Sequence, residues 1–246
     1  MCSAWLQDLP DYTDASAYNY AEKTKVYAND GTTLLAEFFL ENRDPIELSQ
    51  MGDYVTKGTV ATEDERFYQH NGIDLMGIAR AVWVNVTHTG REGASTITQQ
   101  FVRNTILADE AQESTLKRKV REAYIAIKLE EIYSKQDILQ MYLNTINYGQ
   151  GAYGIQAAAQ RYYSVDAKDL TLAQAATLIG IPQSPTYNNP IDNPNNCKQR
   201  RNLVLDRMLS NGVITQEQHD AAQAEELNRS SSCATPSWPM RRRNPP

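Results

Sequence analysis

The chain has 246 residues, of which 41% are hydrophobic and 22% charged; at roughly 150 residues per domain, this is one large domain or two small ones. Thirty acidic against 24 basic residues give a net charge of −6, which argues against a general nucleic-acid binder. Collagen-like, disordered and disulfide-scaffold classes are excluded as well, since Cys2, Cys197 and Cys233 are an odd number, far apart and without a CxxC.

No run of 18 apolar residues occurs, and the N-terminus, MCSAWLQDLPDYTD, has neither a basic nor an apolar leader region. Neither a membrane span nor a signal peptide is therefore read from these residues. Residues 1–22 are polar and turn-rich and read as an N-terminal extension. Over 24–40, two apolar runs flank Asn29-Asp30-Gly31, a hairpin signal. Helical periodicity then predicts helices over 53–65, 74–88, 95–108, 115–133, 135–144, 154–163, 171–181, 196–211 and 215–226. In 115–133 the expected stripe is Leu116, Val120, Ala123, Tyr124 and Ile127, with Glu131 at its end. Helix starts are expected at Ser95-Thr96, Ser114, Thr171 and Thr215. A capping box counted from Ser95 fits poorly, because its N3 residue is Thr98 rather than Glu or Gln. The tail 229–246 carries four prolines and a triple Arg and reads as a disordered or non-native end.

Two motifs are decoys. Gly149-Gln-Gly151-Ala-Tyr-Gly154 matches GxGxxG, but a helical pattern precedes it where a dinucleotide site needs a strand. It reads as a tight turn between helices. Ser114-Thr-Leu-Lys117 matches SxxK, but no S-D-N-like or K-T-G-like element follows. His70, His88 and His219 lie in unrelated contexts, and His70 reads as a structural hydrogen-bonding residue.

Three segments carry chemistry. Residues 63–74 read EDERFYQHNGID, with Glu63 and Asp64 ending an apolar helical stretch and aromatics following. A carboxylate in such surroundings is partly desolvated, which suits proton transfer; taken alone, the pair reads better as a solvated helix end. Residues 93–104, GASTITQQFVRN, crowd hydroxyls and amides that can address sugar hydroxyls or phosphate, with an Arg three residues beyond the last Gln. Residues 117–122, KRKVRE, place four basic residues in an acidic chain. Arg118 and Glu122 share a helix face, as a surface ion pair or as part of a phosphate clamp.

In this order the segments resemble glycosyltransferase family 51, the peptidoglycan glycosyltransferase domain of class A penicillin-binding proteins and monofunctional transglycosylases. EDERFYQHNG resembles the first motif, GASTITQQ the second, RKVRE the third, YLNTINYGQGAYGIQAAAQRYY the fourth and LTLAQAATLIGIPQSPTYNNP the fifth. The similarity covers about residues 20–225, with Ala94 where a second glycine is commoner and Arg103 where Lys is also frequent.

The resemblance implies a mainly α, lysozyme-like domain over 23–228, with a head, a smaller membrane-facing jaw and the short N-terminal hairpin. It implies polymerisation of lipid II into β-1,4 glycan with inversion and release of undecaprenyl pyrophosphate. Glu63 matches the general base and Glu122 the second glutamate. Asp64, Ser95, Thr96, Gln99, Gln100, Arg103, Arg118, Lys119 and Tyr142 fall at substrate-binding positions.

No cofactor is obligatory and no metal site is read; a divalent Mg or Mn ion can assist at the pyrophosphate. The implied partners are lipid II, the growing lipid-linked glycan, the membrane surface and other cell-wall synthesis proteins, at the outer face of the cytoplasmic membrane. No transpeptidase domain or anchor is read in these residues, which suggests a fragment or an interrupted reading frame. Alternatives are a lysozyme-like hydrolase that cleaves peptidoglycan, or a non-catalytic lipid II- or glycan-binding module. Glu63 and Glu122 are both expected to face a cleft walled by 54–67 on one side and by 93–103 and 115–122 on the other. The segment Leu75–Val86 is expected to be apolar at the surface and mobile.

Overall fold

The computed structural model describes residues 5–13, 24–38, 42–87, 93–111, 113 and 115–227. Local sequence chemistry sets most boundaries. Thr96, Ser134, Thr171 and Thr215 each begin a helix with a reciprocal capping box, closed by Gln99, Asp137, Gln174 and Gln218. Each box satisfies backbone donors that a helix N-terminus leaves orphaned. Among the described residues the α-helices are α1 (Asp53–Glu63), α2 (Leu75–Val86), α3 (Ile97–Asn104), α4 (Leu116–Ile132), α5 (Lys135–Thr145), α6 (Ile155–Tyr163), α7 (Leu172–Gly180), α8 (Pro194–Ser210) and α9 (Gln216–Ala224). All nine fall where the periodicity places them.

Two start signals need correction. The capping box is framed on Thr96, which puts Gln99 at N3, and not on Ser95. The cap of α4 is Thr115, whose hydroxyl accepts from Arg118 N; Ser114 lies outside the described residues.

Strands are few. β1 (Thr24–Tyr27) and β2 (Leu34–Phe38) pair antiparallel as the expected hairpin. In its turn, Asp30 Oδ1 accepts from Thr32 N at 2.9 Å and Thr33 N at 2.8 Å. β3 (Asn42–Arg43) pairs parallel with β4 (Ala152–Tyr153). The GxGxxG segment is the turn between α5 and α6: Gly154 sits at φ 82°, and a Cβ there would lie 2.6 Å from Asn144 O, so only glycine fits.

The main core gathers Val55 of α1, Phe101 of α3, Ile125 and Leu129 of α4, Ile138 and Leu143 of α5, and Ile155 and Tyr162 of α6. A second cluster packs α7, α8 and α9 through Ala176, Ile179, Val204, Met208 and Ala222. Tyr54, in the first turn of α1, contacts both clusters, which puts the N-terminal end of α1 at their junction; Glu63 ends the same helix.

The stripe expected on α4 is wrong. Its buried face is Arg121, Glu122, Ile125, Ala126 and Leu129, while Leu116 is exposed. Two charged residues take core-facing positions because both are paired there.

Helix α2 stands off the core. Only Gly77 and Ala81 are buried, whereas Leu75, Met76, Ile78, Val82, Trp83 and Val86 are exposed. At about 100° per residue these six form one continuous apolar face opposite the two small residues. Of the expected extension 1–22, residues 5–13 are described; the tail 229–246 lies outside the described residues.

Candidate active site

Glu63 is the last residue of α1 and opens into a cleft of about 650 Å³. The cleft is lined by the end of α1 (61–65), the start of α2, the loop 93–96, Gln100 and Arg103 of α3, the loop 182–188 and one face of α8. The Glu63 side chain is 15% exposed. Its Oε2 accepts from Gln100 Nε2 at 2.9 Å, and its Oε1 lies 3.6 Å from Arg200 Nη2 without a hydrogen bond. One carboxylate oxygen is thus oriented, and the other is held beside a positive charge and can accept a proton.

The orientation of Gln100 is itself fixed. The Tyr142 hydroxyl donates to Gln100 Oε1 at 3.1 Å, leaving the amide nitrogen to face Glu63. Tyr142 is buried, and burial, with Glu63 nearby, pushes its phenol well above the ordinary range, so it stays a donor. Tyr142 is not among the cleft-lining residues, and it reaches the site through Gln100.

Asp64 has a supporting place. It is buried, it accepts from Ile97 N at 3.0 Å, and both its oxygens lie 3.0 Å from His70 Nε2. This ties the residue after Glu63 to the first turn of α3, the helix that carries Gln100. His70 is the structural residue expected. Thr96 and Gln99 are buried and engaged in the capping box, and Thr96 Oγ also donates to Gly72 O at 2.7 Å. Thr96 lines the cleft, but Gln99 does not.

Glu122 does not face the cleft as expected. It is fully buried: Oε2 accepts from Arg118 Nη1 at 2.7 Å and Oε1 from Lys119 Nζ. A carboxylate here neutralises two cations that would otherwise crowd each other. Lys119 Nζ also donates to Ser95 Oγ at 2.8 Å, and Ser95 lines the cleft. The wall expected from 115–122 is therefore a layer behind Ser95, and the wall expected from 54–67 is only its end, 61–65.

Four arginines line the cleft: Arg80, Arg103, Arg200 and Arg207. Arg80 pairs with Glu65, and Arg207 donates to Thr62 O at 2.5 Å. Arg103, one turn beyond Gln100, makes no ion pair with a described residue, which leaves its charge available to an anion. Burial, with Arg207 beside it, lowers the pKa of Arg200, and Glu63 works in the opposite direction. Burial alone would raise Asp74, but Arg66 and the Gly77 N–H hold it below the ordinary carboxylate value.

Sequence reasoning missed the α8 side altogether. Arg200 and Arg207 sit in QRRNLVLDR, a pattern that reads as an ordinary amphipathic helix. The available signal was the Arg pair at the start of an apolar run.

A helical domain with a carboxylate in an arginine-lined cleft suits group transfer from an anionic leaving group. The Transglycosylase family model matches residues 31–209, and the chain belongs to that family. It is 42% identical over 221 residues to penicillin-binding protein 1A of Vibrio cholerae, covering 89% of this chain and 26% of that protein. Against penicillin-binding protein 1A of Escherichia coli the identity is 40%, covering 89% and 26%. Against penicillin-binding protein 1A/1B of Bacillus subtilis it is 43%, covering 88% and 23%. The chain thus spans about a quarter of the length of these relatives. The fold resembles the crystal structure of penicillin-binding protein 1A from Haemophilus influenzae, with a TM-score of 0.51 and 24% identity over 86% of this chain and 22% of that one.

Proposed function

We propose that this chain is a peptidoglycan glycosyltransferase that joins lipid II units into β-1,4 glycan, inverting the donor's anomeric carbon and releasing undecaprenyl pyrophosphate. The observation that carries this reading is Glu63, a carboxylate with one oriented and one unbonded oxygen, inside a cleft that also presents Arg103, which has no ion-pair partner among the described residues.

In this reading the Glu63 carboxylate takes the proton from the acceptor's 4-hydroxyl as that oxygen attacks the donor's anomeric carbon. The bond to the pyrophosphate oxygen breaks, and the electron pair leaves with the pyrophosphate. Arg103 meets that charge directly, while Ser95, backed by Lys119 and Arg118, extends the positive field around it. A leaving group so neutralised needs no general acid. Glu122 keeps the two cations in place. Asp64, Thr96, Gln99 and Tyr142 hold the loop, the helix start and the Gln100 amide. A magnesium or manganese ion belongs, in this reading, to the substrate's pyrophosphate. Among the described residues, no group of three or more His, Cys, Asp or Glu is placed to hold a metal.

The apolar face of α2 supports contact with a bilayer. It begins beside Asp74 and Gly77 at the cleft and exposes Trp83 by 71%, more apolar surface than a soluble helix usually shows. Among the described residues no helix is long and apolar enough to cross a membrane. We place the domain on the outer face of the cytoplasmic membrane, where a lipid-linked substrate enters along α2. Incubation with lipid II tests the reading: long glycan resistant to release of short fragments is expected. Hydrolysis of preformed glycan, or binding of lipid II without turnover, would overturn it.

A further inference from the structure

The residues upstream of β1 make a contact that the glycosyltransferase reading leaves unused. Residues 5–8 end a helical turn, and Asp8 adopts the left-handed conformation, φ 61°, that closes such turns. The last carbonyls of a helical turn lack partners within it. Here three of them converge on one guanidinium: Arg121 Nη1 donates to Trp5 O at 3.1 Å and Gln7 O at 3.3 Å, and Nη2 donates to Asp8 O at 3.1 Å. Glu110 pairs with the same Nη2 at 3.1 Å.

The segment continues along the helix. Leu9 and Tyr12 pack on the main core, and burial, with Tyr124 one turn beyond Arg121 on α4, raises the pKa of the Tyr12 phenol. Arg121 is 5% exposed. Its neighbour Glu122 holds Arg118 and Lys119, and Lys119 reaches Ser95 in the cleft.

We propose that residues 5–13 are a strap that Arg121 clamps onto α4, and that the clamp fixes the start of α4 so that Arg118, Lys119 and Glu122 keep their register behind Ser95. Arg121 is then a positioning residue, acting through the helix it anchors. The chemistry requires arginine: three carbonyls and a carboxylate in different directions match a planar fork of donors, whereas a lysine ammonium is a compact point charge. The strap lies upstream of residues 31–209, the stretch matched by the family, so the working unit begins earlier than the family match.

Arg121→Gln in the full chain tests this with two readouts. Chymotryptic cleavage after Tyr12 reports the population of released strap, and it should speed about tenfold or more on loss of charge-assisted hydrogen bonds. Steady-state kinetics with lipid II should show KM rising about three- to tenfold with kcat within about twofold, the pattern of lost binding rather than lost chemistry. Arg121→Lys should fall between the two. If Arg121→Gln fails to fold, Leu9→Asp releases the strap through its core contact without changing a residue of α4, and the same pair of changes is expected.

The kinetic readout rests on the glycosyltransferase reading, whereas the cleavage readout does not. A parent chain without glycan synthesis would therefore defeat that reading and leave the clamp to be judged by cleavage. Unchanged cleavage overturns the clamp. A released strap with unchanged KM, or with a fall confined to kcat, overturns the positioning role.

Discussion

Replacing Glu122 by Gln removes the charge at the centre of a buried triad while keeping its size. The carboxylate is fully buried, and the Arg118 and Lys119 side chains are 13% and 41% exposed. Breaking a fully buried ion pair from one side costs about 3–5 kcal/mol. Lys119 can swing into water, so its share of that loss is small. Arg118 cannot, and hydrogen bonds to charged groups contribute about 1.5–3 kcal/mol each. The expected destabilisation is therefore about 2–4 kcal/mol, with about half the Gln head group still able to accept a hydrogen bond from Arg118. Urea unfolding reads it as a lower midpoint at unchanged slope. The same variant should bind a short-chain polyprenyl pyrophosphate more weakly, since both cations lose their anchor. A loss below about 1 kcal/mol, the size of an exposed pair, together with unchanged affinity, would refute the reasoning.

Gly72→Ala should destabilise the fold by more than about 2 kcal/mol in urea, because φ there is 82° and the new Cβ would lie 2.6 Å from Ile127 N in the α4 backbone. His219 lies 2.8 Å from Asp206 and 2.9 Å from Asp220, and these raise its pKa above 6.5. Its contribution to α8–α9 packing is thus complete below pH 6.5 and fades as pH rises through the higher native value; His219→Gln should flatten that slope in pH-dependent melting. Trp83→Glu should weaken co-sedimentation with phosphatidylglycerol–phosphatidylethanolamine vesicles about tenfold, the effect of losing part of one aromatic's apolar burial, with the melting temperature unchanged because the side chain is exposed.

Local chemistry was legible in the sequence, and long-range pairing was not. Helix positions followed from the apolar period and from the start signals at Thr171 and Thr215; the error at Thr96 arose because two adjacent hydroxyls both fit a cap. Glu63 and Gln100 were legible as chemistry-bearing segments, but their mutual contact was not. The α4 face was misread because hydropathy assigns Arg121 and Glu122 to solvent. Arg121 is buried by carbonyls more than a hundred residues away, which leave no mark in the local pattern; the pairing of Glu122 with Arg118 was legible as an i,i+4 spacing, but its complete burial was not. Arg200 illustrates the same limit: it lies 137 positions from Glu63 (200 − 63), and only the packing of α8 against α1 brings it there.

Glu63→Gln gives the most direct test of the central claim. The amide keeps the volume and the contact with Gln100 but cannot take a proton. With lipid II as substrate, the account predicts a fall in glycan synthesis of about 10²–10⁴-fold. Affinity for the lipid pyrophosphate should stay close to that of the parent, because the phosphates are met by Arg103 and the cations behind Ser95. Polymerisation at near-parental rate by the Glu63→Gln protein would contradict the general-base assignment.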